Sequence, residues 1–155
     1  MKQRKVIFDP TLFIMRAAPD STGRIDPVRG ALFHSAAEFT RAAHRAGIEI
    51  DAGTDALGGS TPNIHVELQL LVDSVGMTPL EAIRAATLVS ARAAGMADSI
   101  GTIEVGKLAD LVVLAGDPSR DIASTMSVVG VMKSGNYHER SRPMTPPPGA
   151  GAPRS

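Results

Sequence analysis

Cysteine and tryptophan are both absent from this sequence of 155 residues. Without cysteine the chain can form no disulfide and offers no thiolate to a metal ion. A chain without cysteine suits a reducing compartment, so we expect a cytoplasmic protein. Aromatic residues make up only 3% of the chain, and the formal net charge is zero. Nucleic-acid binding is therefore not expected, because it requires a basic face and aromatic stacking platforms.

Long apolar runs are missing as well. No stretch approaches the roughly 20 apolar residues needed to cross a bilayer, and no apolar segment of the signal-peptide type follows the basic N-terminal residues. We therefore expect no membrane partner. Apolar residues still make up 43% of the chain and charged residues 21%, which is typical of a globular protein with a real core.

The clearest pattern is a helix that leads directly into a strand. Residues 31–46 carry apolar side chains at helical spacing and stop at Gly47, and a strand follows at 48–54. This order is the second half of a β–α–β unit and implies a parallel sheet. Ahead of it, Asp9 and Pro10 interrupt the apolar run 5–14, which favours a strand end there, and residues 16–30 are interpreted as a loop. The predicted inner face of the helix consists of Leu32, Ala36, Phe39, Ala43 and Ala46.

Two further helices and then short strands complete the chain. The first helix, at 63–75, is apolar almost all round and ends at Gly76. The second begins at Thr78 with a capping box and carries Leu80 on its inner face. Strands are predicted at 102–105, 111–114 and 128–133. We therefore expect an α/β part at 1–97, a β segment at 98–139 and a disordered tail at 140–155, whose proline- and glycine-rich sequence cannot pack a core.

A carboxylate, Asp55, stands at the end of the 48–54 strand. Catalytic groups of parallel barrels lie at the C-terminal ends of the strands. Strand alternation places Glu49, Asp51, Gly53 and Asp55 on one face, which we expect to point into the barrel. Buried carboxylates need a cation or hydrogen-bond donors, so Asp55 is a candidate metal ligand or general base. The alternative is a turn or helix N-cap residue, as many aspartates after strands are.

Two other features near Asp55 are candidates for substrate binding. His65, at the start of the next helix, could line the pocket above Asp55 or be an ordinary half-buried histidine. Gly58 and Gly59 could bind an anion through backbone N–H groups, or form a flexible active-site loop. They lack the lysine of a phosphate-binding P-loop. The other histidines form no H-x-H or H-E-x-x-H pair, so the chain has no self-contained metal motif.

Four segments in this order resemble the amidohydrolase superfamily, most closely its imidazolonepropionase-like and prolidase-like branches. They are the segments 46–56, 65–68, 76–87 and 100–118. Asp9-Pro-Thr-Leu12 is similar to the family's penultimate barrel strand, and the resemblance runs from about residue 5 to 138.

The resemblance implies an α/β fold, namely the C-terminal part of a (β/α)₈ barrel followed by strands of a small β-sandwich. It implies hydrolysis of a carbon–nitrogen bond in a small amide or cyclic amide with a divalent metal, for which zinc would suit ligation by histidine and aspartate. Asp55 would bind the metal and act as general base toward the attacking water, whose pKa the metal would lower. We expect His65, Gly58 and Gly59 to contact the substrate.

The sequence departs from the family in its missing ligands. The H-x-H of the first strand, the bridging lysine or glutamate and two later histidines have no counterpart, and such a barrel typically needs about 250 residues. One carboxylate cannot hold a catalytic metal, which usually has at least three protein ligands. We therefore expect a fragment that is inactive alone, with exposed sheet edges and an exposed helix at 63–75.

Two alternatives remain open at this point. The chain could be a non-catalytic module or subunit that completes a split hydrolase with a partner chain carrying the H-x-H strand. It could also be an independent α/β domain that binds a small molecule. A homo-oligomer or a complementing N-terminal chain would be its macromolecular partner.

Overall fold

The computed structural model describes residues 6–16, 22–56 and 63–141. Two short strands, β1 (Ile7–Phe8) and β2 (Glu49–Ile50), pair in parallel. A helix lies between them in the sequence, which confirms the predicted β–α–β unit. The strand predicted at 48–54 is shorter than expected. Its last backbone bond to β1 runs from the Asp51 N–H to the Phe8 carbonyl, and the chain then continues to residue 56 without regular structure.

The apolar run at 5–14 does not continue as a strand after its interruption. Pro10 is buried, and Thr11 adopts a left-handed backbone with φ of 45°. The chain then forms one helical turn, α1 (Leu12–Met15), whose Leu12 is completely buried. The strand end at Asp9 and Pro10 thus turns the chain into a helix.

Helix α2 (Pro27–Arg45) begins earlier than the predicted residue 31. Asp26 caps it by accepting a hydrogen bond from the Val28 N–H at 2.8 Å, and Pro27 occupies the first turn, where its missing N–H costs nothing. The last part of the predicted loop at 16–30 is therefore helical.

The inner face of α2 is only partly the predicted one, because Ala43 is buried in the core and Ala36 packs against it, but the large residues are not buried. Leu32 is 60% exposed and Phe39 is 64% exposed, whereas Ala37, Thr40 and Ala43 are buried. The small side chains let the helix approach the sheet closely, so the large apolar residues lie at the margin. Phe39 still packs there, edge to face on the ring of Phe8 in β1, with ring centroids 5.3 Å apart.

Helix α3 (Ile64–Leu70) continues as a π-helical segment (Leu71–Val75) and ends at Gly76, whose φ of 88° suits glycine. The almost all-round apolar pattern predicts a substantially buried helix, which the structure confirms, whereas the expectation that the incomplete barrel would leave it exposed is wrong. Helix α3 packs against α1, and its π-helical continuation packs against α2. The buried apolar residues of this stretch are Val66, Leu68, Leu71 and Val75.

A second helical stretch comprises α4 (Pro79–Arg84), a π-helical segment (Ala85–Val89) and α5 (Ser90–Ala93). The predicted capping box is confirmed, since the Thr78 hydroxyl accepts from the Glu81 N–H and the Glu81 carboxylate accepts from the Thr78 N–H. Leu80, however, is 62% exposed, and Ala82 and Ala85 are buried in its place.

The β segment is a three-stranded antiparallel sheet in the order β3 (Leu111–Leu114), β4 (Val128–Lys133) and β5 (Asn136–Glu139). A 3₁₀ helix (Ile122–Met126) precedes β4 and packs on α3. The strand predicted at 102–105 is wrong, because this stretch consists of bends and turns. Strand β5 was not predicted, and residues 142–155 of the predicted tail lie outside the described residues.

One hydrophobic cluster holds the α/β part together. It joins α1, α2, β2, α3 and α4 with the 3₁₀ helix through Leu12, Ala43, Ile50, Leu68, Leu71, Val75, Met77, Ala82, Ala85 and Ile122. Among the helices described, none is long and apolar enough to cross a membrane.

Candidate functional site

Asp55 lies just beyond β2, at the C-terminal side of the parallel pair. Its backbone is left-handed, with φ of 44°, and its side chain is exposed. Asn63, not Asp55, caps α3 through the Val66 N–H. Within the described residues no hydrogen bond or ion pair engages the Asp55 carboxylate.

The rest of the predicted acidic face is engaged by the second helical stretch. Glu49 lies 2.5 Å from a guanidinium nitrogen of Arg92 and 3.7 Å from one of Arg84. Asp51 accepts hydrogen bonds from the Ser90 hydroxyl and, at 2.7 Å, from the Ala52 N–H. Both carboxylates therefore have partners that fix the strand to the helices, and Asp55 differs from them in having none among the described residues.

Asp9, at the end of β1, connects the two strand ends. Its Oδ1 accepts hydrogen bonds from the Gly53 N–H at 3.1 Å and from the Thr11 N–H at 3.3 Å. The contact requires glycine at position 53, because a Cβ there would lie 2.3 Å from Asp9 Oδ2. The residue two positions before Asp55 is thus held by a carboxylate from the neighbouring strand.

Glu67 is the buried carboxylate of this region, and its role was not predicted. Its side chain is completely buried on α3 and accepts hydrogen bonds from the Leu12 N–H at 3.0 Å and the Phe13 N–H at 2.5 Å. Burial raises the pKa of Glu67 to about 7, against the opposing effect of the two N–H bonds, and the charge of Asp9 raises it further. An acidic residue within the apolar run His65–Val75 was the available signal for a buried polar contact.

His65 is half-buried in the first turn of α3. Its Nδ1 is buried and has no hydrogen-bond partner among the described residues. Burial and, second, the positive charge of Arg140 lower the pKa of His65, so the imidazole is neutral at neutral pH. No hydrogen bond of the described residues joins His65 to Asp55, and Gly58 and Gly59 lie outside those residues.

A metal centre is not complete in this part of the chain. The described residues contain no group of three or more histidine, aspartate or glutamate side chains that could hold a metal ion. Asp55 alone would supply fewer ligands than a catalytic metal needs. The residues present therefore do not fit a whole metal site.

A shallow cavity of about 280 Å³ lies at the opposite, N-terminal end of β2. It is lined by residues that include His44, Glu81 and Arg84. His44 Nε2 lies 3.6 Å from a Glu81 oxygen there. This cavity is lined by residues 47–50 rather than by the segment that carries Asp55, so it is not part of the candidate site.

The chain is similar to known hydrolases in sequence and in fold. An imidazolonepropionase from Geobacillus kaustophilus is 43% identical over 70 residues, which cover 44% of this chain and 16% of that protein. An ochratoxinase from Aspergillus niger is 42% identical over 94 residues, covering 59% of this chain and 19% of that protein. The crystal structure of a Xaa-Pro dipeptidase with bound methionine superposes with a TM-score of 0.74 at 27% identity, over 87% of this chain and 35% of that chain.

The chain thus spans no more than about a third of the length of these proteins. The amidohydrolase family model matches residues 32–137, which include β2, Asp55, Glu67 and strands β3 and β4 of the antiparallel sheet. This match covers more than half of the sequence, and the chain belongs to the amidohydrolase family.

Proposed function

We propose that this chain forms the C-terminal side of an amidohydrolase active site and that Asp55 is its catalytic carboxylate. The observation that carries the proposal is the state of Asp55, which is exposed at the strand end and has no partner among the described residues. Its neighbours Glu49 and Asp51 are both engaged. An ionised carboxylate at such a position can accept a proton or bind a cation.

The proposed reaction is hydrolysis of a carbon–nitrogen bond in a small amide or cyclic amide. Asp55 takes a proton from the attacking water, whose oxygen forms the new bond to the carbonyl carbon. The carbon–nitrogen bond then breaks, and the proton passes from Asp55 to the leaving nitrogen. The names of the relatives, imidazolonepropionase, ochratoxinase and Xaa-Pro dipeptidase, support this substrate class.

Asp55 would also be one ligand of a divalent metal, of which zinc suits a site of histidine and aspartate ligands. Because the described residues lack a complete ligand set, the other ligands would come from outside them. His65, whose Nδ1 has no partner among the described residues, is proposed on the substrate side, and so are Gly58 and Gly59.

The geometry of the sheet supports the need for further strands. Within the described residues the parallel sheet has only β1 and β2, whereas a barrel requires eight strands. The proposal is therefore a (β/α)₈ barrel completed either by further sequence or by a second chain. If a second chain supplies all the chemistry, this chain would be a non-catalytic module of a split hydrolase.

The first experiment is to isolate the endogenous protein with an antibody against residues 61–95 and to measure its intact mass. A mass well above 16.1 kDa would mean that the rest of the barrel is in the same polypeptide. A mass of 16.1 kDa with a co-purifying chain would mean a split enzyme. A mass of 16.1 kDa without hydrolytic activity or a partner would contradict the proposal.

The form so identified is then produced with the change Asp55→Asn and tested on a proline dipeptide and on an imidazolone propionate. We expect kcat to fall by about 10²-fold or more, as for the loss of a general base. The matched control is Asp73→Asn, an exposed aspartate of the π-helical segment, which should keep full activity. Unchanged kcat in Asp55→Asn would favour the non-catalytic module.

A further inference from the structure

Carboxylates bind the segment at 11–13, which follows β1 and includes the first two residues of α1; we call it the loop at 11–13. Three consecutive backbone N–H groups donate to them: Thr11 to Asp9, and Leu12 and Phe13 to Glu67. No strand or long helix supplies these acceptors, since β1 ends at Phe8 and α1 is a single turn. The conformation of this loop therefore depends on the carboxylates of Asp9 and Glu67 as well as on the burial of Leu12 in the core.

Glu67 is a rigid anchor for this loop. Its neighbours on α3, Val66 and Leu68, are both buried, and Glu67 itself is completely buried. The carboxylate is bidentate, with one oxygen on each N–H, which fixes its orientation as well as its position. A displacement of the Glu67 side chain would therefore displace the loop.

Asp9 transmits the position of the loop to the end of β2. The same Oδ1 atom accepts from Thr11 in the loop and from Gly53 beyond β2. The approach is close enough to exclude a Cβ at position 53. Gly53 is followed by Thr54 and then by Asp55, so the hydrogen bond fixes the backbone just before the proposed catalytic carboxylate.

We propose that Glu67 is a positioning residue for Asp55, acting through the loop at 11–13, the Asp9 carboxylate and the Gly53 N–H. The proposal rests on the function proposed for Asp55, but the coupling itself involves only backbone and side-chain contacts of this chain. It can therefore be measured without metal, substrate or turnover.

The charge of Glu67 changes near neutral pH, because burial raises its pKa to about 7. Ionisation strengthens its bonds to the two N–H groups, so the loop should respond to pH. Asp9 is the charged group that acts on Glu67, and α1 has no titratable side chain. The titratable groups on α3, on its π-helical continuation, on α4 and at the cap of the 3₁₀ helix are His65, Asp73, Glu81, Arg84 and Asp121. Helix α2, which packs on the π-helical segment, adds Arg29, His34, Glu38, Arg41, His44 and Arg45. Three of these groups have other partners. Glu81 accepts a hydrogen bond from Thr78, Arg84 pairs with Glu49, and Asp121 accepts a hydrogen bond from Ala123.

The test is a pH titration of backbone amide signals by NMR, with this chain labelled in the form isolated above. We expect the amides of Leu12 and Phe13 to shift with a midpoint near pH 7, and those of Gly53 and Asp55 to follow with the same midpoint. Invariant Gly53 and Asp55 signals beside a titrating loop would overturn the proposal, and so would a loop that does not titrate.

Two substitutions at Asp9 separate its charge from its hydrogen bond. Asp9→Asn keeps an acceptor but removes the charge, so the midpoint should fall while Gly53 still follows the loop. Asp9→Ala removes both, so Leu12 and Phe13 should titrate at the lower midpoint while Gly53 and Asp55 stay still. Coupled signals in Asp9→Ala would show that Asp9 is not the connection and would overturn the proposal.

Glu67→Gln should abolish the titration at all these amides, and Glu139→Gln, at an exposed position of β5, should change none of them. If Glu67→Gln fails to fold, the amide titrations of the unsubstituted chain and of the Asp9 variants still test the proposal. Failure of the proposed function is seen separately, as unchanged kcat in Asp55→Asn, and does not affect this titration.

Discussion

The α/β part and the antiparallel sheet place their charged side chains differently. In the α/β part Glu67 is completely buried and binds two backbone N–H groups. In the sheet, by contrast, Lys133 forms an ion pair with Asp110, and their side chains are 70% and 25% exposed. Every residue of β5 is exposed as well. Exposed ion pairs contribute little to stability, whereas a buried carboxylate is costly unless its bonds are made.

The difference indicates that the α/β part depends more on the exact positions of its polar groups than the antiparallel sheet does. The polar groups inside the α/β part organise the strand ends next to Asp55, and their loss would disturb the proposed site. The sheet carries exposed apolar residues on β3 and β4, including Val112, which is 58% exposed, and Val131, which is 41% exposed. Its tolerance of substitution should be correspondingly greater.

The largest expected effect contrasts the two regions directly. Leu71→Ala removes a completely buried side chain of the core, and we expect the free energy of unfolding to fall by about 2–5 kcal/mol. Val112→Ala in β3 should lower it by less than about 1 kcal/mol. Urea denaturation followed by circular dichroism measures both, and equal losses would contradict the contrast.

The stability of the chain should also depend on the protonation of Glu67. Its pKa is 4.5 in the reference state and about 7 in the fold, so between these values the folded state binds a proton that the unfolded state has lost. The contribution of Glu67 to the free energy of unfolding should therefore be largest below pH 4.5 and fall as the pH rises to about 7, by roughly 3 kcal/mol at about 1.4 kcal/mol per pKa unit.

Denaturation curves between pH 4.5 and 8 measure this contribution of Glu67. The Glu67→Gln variant should lack the slope, because glutamine does not titrate. The same fall in both proteins would show that another group causes it. Glu139→Gln, on the exposed strand β5, is the matched control and should keep the slope of the unsubstituted chain.

The sequence predicted those features whose signals are local. The parallel pair around α2, the stop at Gly76, the capping box at Thr78 and the strands near 111–114 and 128–133 all depend on neighbouring residues, and the structure contains them. The faces of the helices were harder to predict. Small residues such as Ala37 and Ala82 occupy the buried positions, and Leu32 and Leu80 are left exposed, because close approach of the backbones outweighs side-chain size at these contacts.

The candidate site divides in the same way. Asp55 could be identified from its position after a strand, and its role remains a prediction. The contacts of Glu67 could not, because its hydrogen-bond donors precede it by 55 and 54 residues. Only the fold brings them together. A single glutamate in an apolar helix indicates a buried contact but does not say to what.

The close approach at the strand ends can be tested with alanine. Gly53→Ala would place a Cβ 2.3 Å from Asp9 Oδ2, so the carboxylate or the strand end must move. We expect a loss of about 1–3 kcal/mol in the free energy of unfolding, with loss of any activity that depends on Asp55. Gly30→Ala in α2 has room, with its nearest contact at 3.6 Å, and should raise stability by about 0.5–1 kcal/mol. Stabilisation by both changes would contradict the Asp9 contact.

The smallest expected effect concerns Thr78, whose capping box uses an exposed glutamate. Hydrogen bonds from the Thr78 N–H and hydroxyl lower the pKa of Glu81, the opposite direction to Glu67. Thr78→Ala should cost about 1 kcal/mol of unfolding free energy at neutral pH. The matched control, Thr87→Ala, removes a hydroxyl that only bonds back to the Ile83 carbonyl within the helix and should cost less, because such bonds do not stabilise helices.

The two glutamates should also be distinguishable by pH. Because the pKa of Glu81 is lowered in the fold, its contribution is present above the reference value of 4.5 and is lost as the pH falls through its folded value. The cost of Thr78→Ala should therefore shrink in acid, in a window below the one in which Glu67 acts. An acid-independent cost would mean that the threonine hydroxyl alone caps the helix, and that the Glu81 carboxylate contributes nothing. Exposed and buried carboxylates of this chain thus act in separate pH ranges because solvent access, rather than residue type, decides which protonation state the fold favours.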